Sequence, residues 1–212
     1  MTWVFDHLGL LGDLTVTHVY LSVLPVVIGL IIAIPLGWAA SRWRPARAIL
    51  LTLSGLLYTI PSLALIVILP ALISTKTLDP INVIITLTVY TIALLVRSIA
   101  DALSAVPPTV VAAATAIGYR PLRRFVGVEF PLAIPVIVAG LRVAMVSNIS
   151  LVSVGALIGI AGYGQLFTNG FQLQFVTEIV AGIVATLLLA LVADLLLQLI
   201  GRLVTPWTRV GR

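Results

Sequence analysis

The reactive side chains of this sequence are few: seven carboxylates, twelve basic residues, two histidines and no cysteine. Without cysteine there is no thiolate nucleophile, no disulfide and no cysteine-bound zinc or iron–sulfur cluster. His7 and His18 are too few and too badly placed to build a histidine metal site. Acid–base chemistry needs two carboxylates held together in differently tuned environments. Asp6, Asp13, Asp79, Asp101, Glu129, Glu178 and Asp194 are instead strung along the whole chain. The phosphate-cradling pattern G-x-x-x-x-G-K-[ST] is absent, as are G-x-S-x-G and H-E-x-x-H. Gly159, Gly162 and Gly164 make no dinucleotide fingerprint, because no strand precedes them and Phe167 stands where the last glycine belongs. These absences speak against an enzyme. If the chain moves a solute uphill, the energy must come from a partner or an ion gradient.

The elements that would position any site are membrane helices. Of 212 residues, 61% are apolar and 9% charged, which excludes a soluble domain. Long apolar runs cover approximately residues 19–41, 48–73, 80–97, 132–160 and 179–201, each near the length needed to cross a hydrocarbon core of ~30 Å. Pro25 and Pro35 should bend the first run, and Pro61 and Pro70 interrupt the second. Asp6 and Asp13 replace the basic stretch that would begin a cleaved signal peptide. With the N-terminus outside, Arg42, Arg44, Arg47, Arg97, Arg120, Arg123, Arg124, Arg202, Arg209 and Arg212 all fall inside, and only Lys76 falls outside. That bias sets orientation, and it accounts for the net charge of +5 without nucleic acid. The fold class is therefore an all-α integral membrane protein of about five transmembrane helices. Its C-terminus is cytoplasmic, and residues 1–212 make one transmembrane domain.

Between the third and fourth runs lies a basic interruption, 98–131, which this topology places in the cytoplasm. Pro107-Pro108 can open a helix there, since first-turn amides lack partners anyway. Gly118 can close it in a left-handed position. Pro121 can open a second short helix, and Pro131 is expected to stop it. Val110, Ala114 and Ile117 share one face at helical spacing. A short amphipathic helix–turn–helix outside the bilayer is the expectation, with its apolar face turned to a partner.

Two ionisable residues fall inside spans, Arg142 and Asp194. Asp194 lies about two turns from Arg202, so it is expected to pair near the interface, and Arg142 to snorkel or hold a helix contact. Tyr58, Pro61, Ser62, Tyr90, Ser147, Asn148, Ser150 and Ser153 are the residues best suited to line a path. The glycine-rich connector at 159–165 faces outside, where a short re-entrant helix would meet a delivery protein.

The loop resembles the coupling loop of permease subunits of bacterial ABC importers. That family's pattern is E-A-A, three residues, G, nine residues, then I-x-L-P. Ala113, Ala114, Gly118 and Pro131 stand on this spacing, with Val128 and Phe130 as apolar replacements. Ala112 occupies the position of the family's glutamate, which removes a charged contact to the ATPase. The resemblance then implies coupling through shape, apolar docking and the basic turn of Tyr119, Arg120, Arg123 and Arg124. The stretches 59–65, 131–142, 148–149 and 156–159 look like the corresponding segments of osmoprotectant permeases for glycine betaine, choline and carnitine. The resemblance covers roughly residues 15–200.

It implies an ABC importer permease (MetI-like) fold that forms the translocation pathway for compatible solutes of the quaternary-ammonium class. It implies no cofactor on this chain, with ATP and Mg carried by two ATP-binding partner subunits. A second permease subunit, identical or paralogous, and a separate extracytoplasmic substrate-binding protein complete the assembly, in the lipid of the bacterial cytoplasmic membrane. Aromatic faces such as Tyr58 and Tyr90 suit a cation that cannot hydrogen-bond. The alternatives are an importer permease for an amino acid such as methionine or a small thiol-containing osmolyte, and an ATP-independent channel or carrier. Five spans are few for a carrier built of paired repeats.

Overall fold

Helix α5 (Ile81–Ser104) is the most enclosed long helix among the described residues: the helices at 8–42, 44–59 and 130–152 pack against it, and the last long helix, 176–204, packs on the one at 130–152 instead. The computed structural model describes residues 2–209. Among these the secondary structure is entirely helical, which matches the expected class. A short α1 (Thr2–Asp6) leads into α2 (Leu8–Arg42), which passes Pro25 and Pro35 without a break. α2 lies along α5 on a seam of small residues: Gly29, Ala33, Gly37 and Ala40 are buried, four or three residues apart. A β-carbon at Gly29 would stand 2.5 Å from Thr91 Cγ2, and one at Gly37 2.6 Å from Ile99 Cγ2. Lipid offers no hydrophobic drive between helices, so such close backbone approach supplies the attraction.

α2 begins at Leu8, eleven residues before the expected start at 19. Asp13 does not interrupt it, because that carboxylate lies on the exposed side of the helix.

The second run is not one straight span. It divides into α3 (Arg44–Thr59) and α4 (Ser62–Ile73), bent by 101°. Pro61 has no N–H to continue α3, and a proline pushes the residue before it out of the helical region. Ile60 accordingly sits at φ −67°, ψ 129°. Among the described residues four helices are long and apolar enough to cross a membrane, and the bent pair makes five if it is counted as one span.

The interruption at 98–131 is more helical than expected. α5 carries on to Ser104, followed by α6 (Pro108–Ala116) and α7 (Pro121–Arg124). Pro131 stops nothing. α7 runs through a π turn (Phe125–Glu129) into α8 (Phe130–Val152), with Pro131 in its first turn. The Phe130 amide bonds back five residues, to the Phe125 carbonyl. Widening the helix at that point accommodates a residue that cannot donate. The fourth spanning element therefore starts near 121 rather than 132.

α8 gives way to a 3₁₀ segment (Ser153–Ile158) and a turn with Gly159 at φ 84°. A short α9 (Gly164–Gln172) follows, then α10 (Val176–Val204). Connectivity gathers Arg42, Arg44, Arg47, Arg97, Arg120, Arg123, Arg124 and Arg202 at one end of the spans, opposite Lys76. The Arg209 side chain and Arg212 lie outside the described residues.

Candidate coupling loop and transmembrane cavities

The loop is built on its prolines and one glycine. Pro107 is extended and Pro108 is the first residue of α6. At the far end Gly118 takes φ 93°, a conformation that penalises any β-carbon. The Gly118 amide donates to the Thr115 carbonyl at 3.0 Å and the Tyr119 amide to the Ala114 carbonyl at 3.1 Å, closing the helix in the manner of a glycine cap. A β-carbon at Gly118 would meet nothing within 4 Å, so the glycine serves the backbone angle alone.

Ala112, Ala113, Gly118, Arg120 and Arg123 are exposed, and Pro131 and Tyr119 are half-buried. Arg123 lies over the Tyr119 ring, 5.3 Å from its centre. Val110, Ala114 and Ile117 stand at the expected helical spacing along α6 and its C-cap, but they differ in burial. Ala114 is buried, whereas Ile117 is 76% exposed and joins Leu122 and Val126 as outward apolar side chains.

Arg124 departs most from expectation. It is buried, with Nε donating to Glu129 Oε1 at 2.6 Å and Nη1 to Thr115 Oγ1 at 2.6 Å. It ties α6 to the π turn and faces no partner.

Tyr58, Pro61, Ser62 and Tyr90 come together. With Thr59, Ile60 and Leu151 they line a cavity of about 260 Å³ at the break between α3 and α4. The Tyr58 and Tyr90 rings meet edge-on with centres 5.7 Å apart. The Tyr90 hydroxyl donates to the Ile60 carbonyl, which the broken helix leaves without an amide partner. Ser147 and Asn148 lie just behind, against the same two tyrosines. Asn148 is buried and its amide donates to Thr91 Oγ1 at 3.0 Å, so it holds α8 to α5. Ser150 is exposed on α8 and does not line these cavities.

Arg142 and Asp194 bind each other. Arg142 thus holds a helix contact, one of its two expected roles, and the partner of Asp194 is Arg142 rather than Arg202. His18, which the sequence offers only as a candidate metal ligand, has a different role. It is fully buried: Nε2–H donates to the Ile149 carbonyl at 2.8 Å, and Nδ1 accepts the Tyr163 amide at 3.1 Å. One donor and one acceptor nitrogen describe a neutral imidazole. Its ring stacks on Tyr163, whose hydroxyl donates to Thr15 Oγ1 at 2.8 Å. A polar residue at the very edge of the first apolar run is the available signal.

Helices that cross a membrane around a broken span, with a structured arginine-rich loop at one end, define a membrane-embedded transport subunit. Residues 22–210 match the family described as binding-protein-dependent transport system inner membrane component, and the chain belongs to that family as a permease subunit of an ABC importer. The osmoprotectant import permease protein OsmW of Salmonella typhimurium is 34% identical over 206 residues, 96% of each chain. The glycine betaine/carnitine/choline transport system permease protein OpuCB of Bacillus subtilis is 29% identical, over 97% of this chain and 94% of that one. The ergothioneine transport permease/ergothioneine binding protein EgtU of Helicobacter pylori is 39% identical over 153 residues, 72% of this chain and 27% of its own length. Among solved structures, an inward-facing MetNI methionine ABC transporter superposes with TM-score 0.81 at 21% identity, covering 94% of this chain and 98% of that one. That likeness shows the MetI-like fold alone. Membership implies ATPase and substrate-binding partners.

Proposed function

We propose that this chain forms the translocation pathway through which an ATP-driven importer takes up compatible solutes of the quaternary-ammonium class. The observation that carries the reading is similarity along the whole chain, 96% of both sequences, to a permease named for osmoprotectant import. Glycine betaine, carnitine and choline, named for a second relative, all carry a trimethylammonium group. An aromatic pair beside a helix break suits such a cation, which accepts and donates no hydrogen bonds.

In this reading the chain works in the bacterial cytoplasmic membrane and performs no chemistry itself. Two ATP-binding subunits carry ATP and Mg, a second permease subunit faces this one, and an extracytoplasmic binding protein delivers solute. The exposed Ala112, Ala113, Gly118, Arg120 and Arg123, with the outward Ile117 and Leu122, seat on the ATP-binding subunit. Arg124 acts through the loop it holds together.

The test is co-purification from detergent. An ATP-binding subunit stays with the wild type and is lost with Gly118→Trp, while solute still binds the binding protein. If no ATPase is retained, even after crosslinking at the loop, an ATP-independent channel or carrier replaces this reading.

A further inference from the structure

Two further cavities run along the same face of α3 and α5, toward the arginine-rich end. The nearer, of about 330 Å³, is lined by Ser54, Gly55, Tyr58, Ala93, Leu94 and Arg97. The next, of about 410 Å³, is lined by Arg44, Arg47 and Arg97 together with uncharged residues of α3. Tyr58 is shared with the cavity at the helix break, and Arg97 is shared between these two. Arg47 is held by Asp101 at 2.6 Å, but among the described residues no ion pair engages Arg44 or Arg97. No carboxylate lines either cavity. Tyr90 and Arg97 are seven residues apart on α5, hence on one face and about 10 Å apart along the axis. Gly55 and Ala93 line the same cavity as Tyr58 and Arg97 and bring little side-chain volume to it. A solute following this face meets aromatic carbon first and uncompensated positive charge second.

We propose that this face is a two-part subsite selective for zwitterions, taking a quaternary ammonium against Tyr58 and a carboxylate on Arg97. The inference rests on the quaternary-ammonium reading above and narrows it. Glycine betaine and carnitine carry both groups, whereas choline has no carboxylate. A cation over an aromatic face is attracted by the ring quadrupole, and a guanidinium presents two parallel N–H groups to a carboxylate. Choline gains only the first contact and then faces guanidinium groups of its own sign. Selectivity of this kind joins an attractive element for one solute to a repulsive one for its competitor.

The test uses the permease with its ATP-binding subunits in lipid nanodiscs, without binding protein. Saturation transfer to the methyl resonances of glycine betaine and of choline is measured by NMR on the same sample, so their ratio is independent of yield. The wild type should saturate glycine betaine several-fold more strongly than choline. Arg97→Gln should bring the ratio to about one, Arg97→Lys should keep most of the preference, and Tyr58→Leu should weaken both signals. Equal saturation by the wild type, a ratio unmoved by Arg97→Gln, or signals unmoved by Tyr58→Leu overturns the subsite. Uptake by the complete importer separates the two readings. If it carries glycine betaine while the ratio is flat, the subsite fails and the proposed function stands. If the ratio behaves as expected but no quaternary-ammonium solute is carried, the proposed function fails instead.

Discussion

Arg142 of α8 and Asp194 of α10 meet side by side, Nε donating to Oδ1 at 2.6 Å and Nη2 to Oδ2 at 2.8 Å. Both side chains are about a third exposed, and both sit within apolar helices. α10 otherwise turns a long row of leucines outward, including Leu187, Leu188, Leu191, Leu195 and Leu199. The ion pair is therefore a directional contact on a helix that has few others.

Removing one member strands a charge among apolar side chains, while removing both does not. Asp194→Asn alone and Arg142→Gln alone should each lower the melting temperature of the purified protein by several degrees. The double variant should lie closer to wild type than either single change. Thermal unfolding monitored by size-exclusion recovery reads this directly. A double variant that loses the sum of the two single losses would show that the pair is not what matters.

The α2–α5 seam gives a prediction with its own control. Gly29→Val puts a branched side chain 2.5 Å from Thr91 Cγ2, where α5 is itself enclosed. Such overpacking costs ~1–3 kcal/mol. Gly12→Ala, on the same helix with nothing within 4 Å, should be neutral or stabilise by up to ~1 kcal/mol, since alanine is the better helix former. Denaturation in mixed detergent micelles compares the two. A loss at Gly12→Ala as large as that at Gly29→Val would mean that close packing at the seam does not set the cost.

What the sequence discloses here follows from what is local. Pro107-Pro108, Gly118 and Pro121 constrain their own backbone, and each stands where its constraint predicts. Pro61 was legible as an interruption, but not the 101° turn, which depends on what receives the freed Ile60 carbonyl, and that is Tyr90, thirty residues on. The start of α2 was misplaced because a charge such as Asp13 ends an apolar run on paper yet only marks the outer face of a helix. Arg142 and Asp194 were each visible as costly residues, but no spacing rule joins positions fifty-two apart. Tyr58, Pro61, Ser62 and Tyr90 were picked out by residue type and do converge on one cavity. Ser150, chosen on the same grounds, does not, because residue type does not say which way a helix face turns.

His18 joins three separated segments: its own helix, the Ile149 carbonyl of α8 and the Tyr163 amide before α9. His18→Phe keeps the stacking surface for Tyr163 but orphans both backbone groups in a fully enclosed place. Each orphaned group costs ~1–3 kcal/mol. The variant should unfold at lower temperature, and the Tyr163 amide should exchange with deuterium faster than in wild type. An unchanged exchange rate would assign the protection to the tight turn at Gly162 instead.

Arg124 and Glu129 are five residues apart, a spacing that does not share a face in an α-helix. The π turn over Phe125–Glu129, with its bonds reaching back five residues, brings them together. The same guanidinium reaches Thr115 on α6, whose hydroxyl donates in turn to the Val111 carbonyl at 2.8 Å. One side chain thus fixes the angle between the two limbs of the loop. Lysine could satisfy Glu129, but it cannot serve both partners from the planar fork that arginine provides. Arg124→Lys and Arg124→Gln should therefore both loosen the loop, the second more. The neighbouring Arg123 is exposed and no proline follows it, so trypsin reports on this from outside the membrane. Cleavage after Arg123 should quicken several-fold in Arg124→Gln, with the spans intact, while the Arg120–Pro121 bond stays uncut in both forms. If Arg124→Gln is cut no faster than wild type, the order of the loop comes from Gly118 and the prolines alone, and Arg124 is a bystander to it.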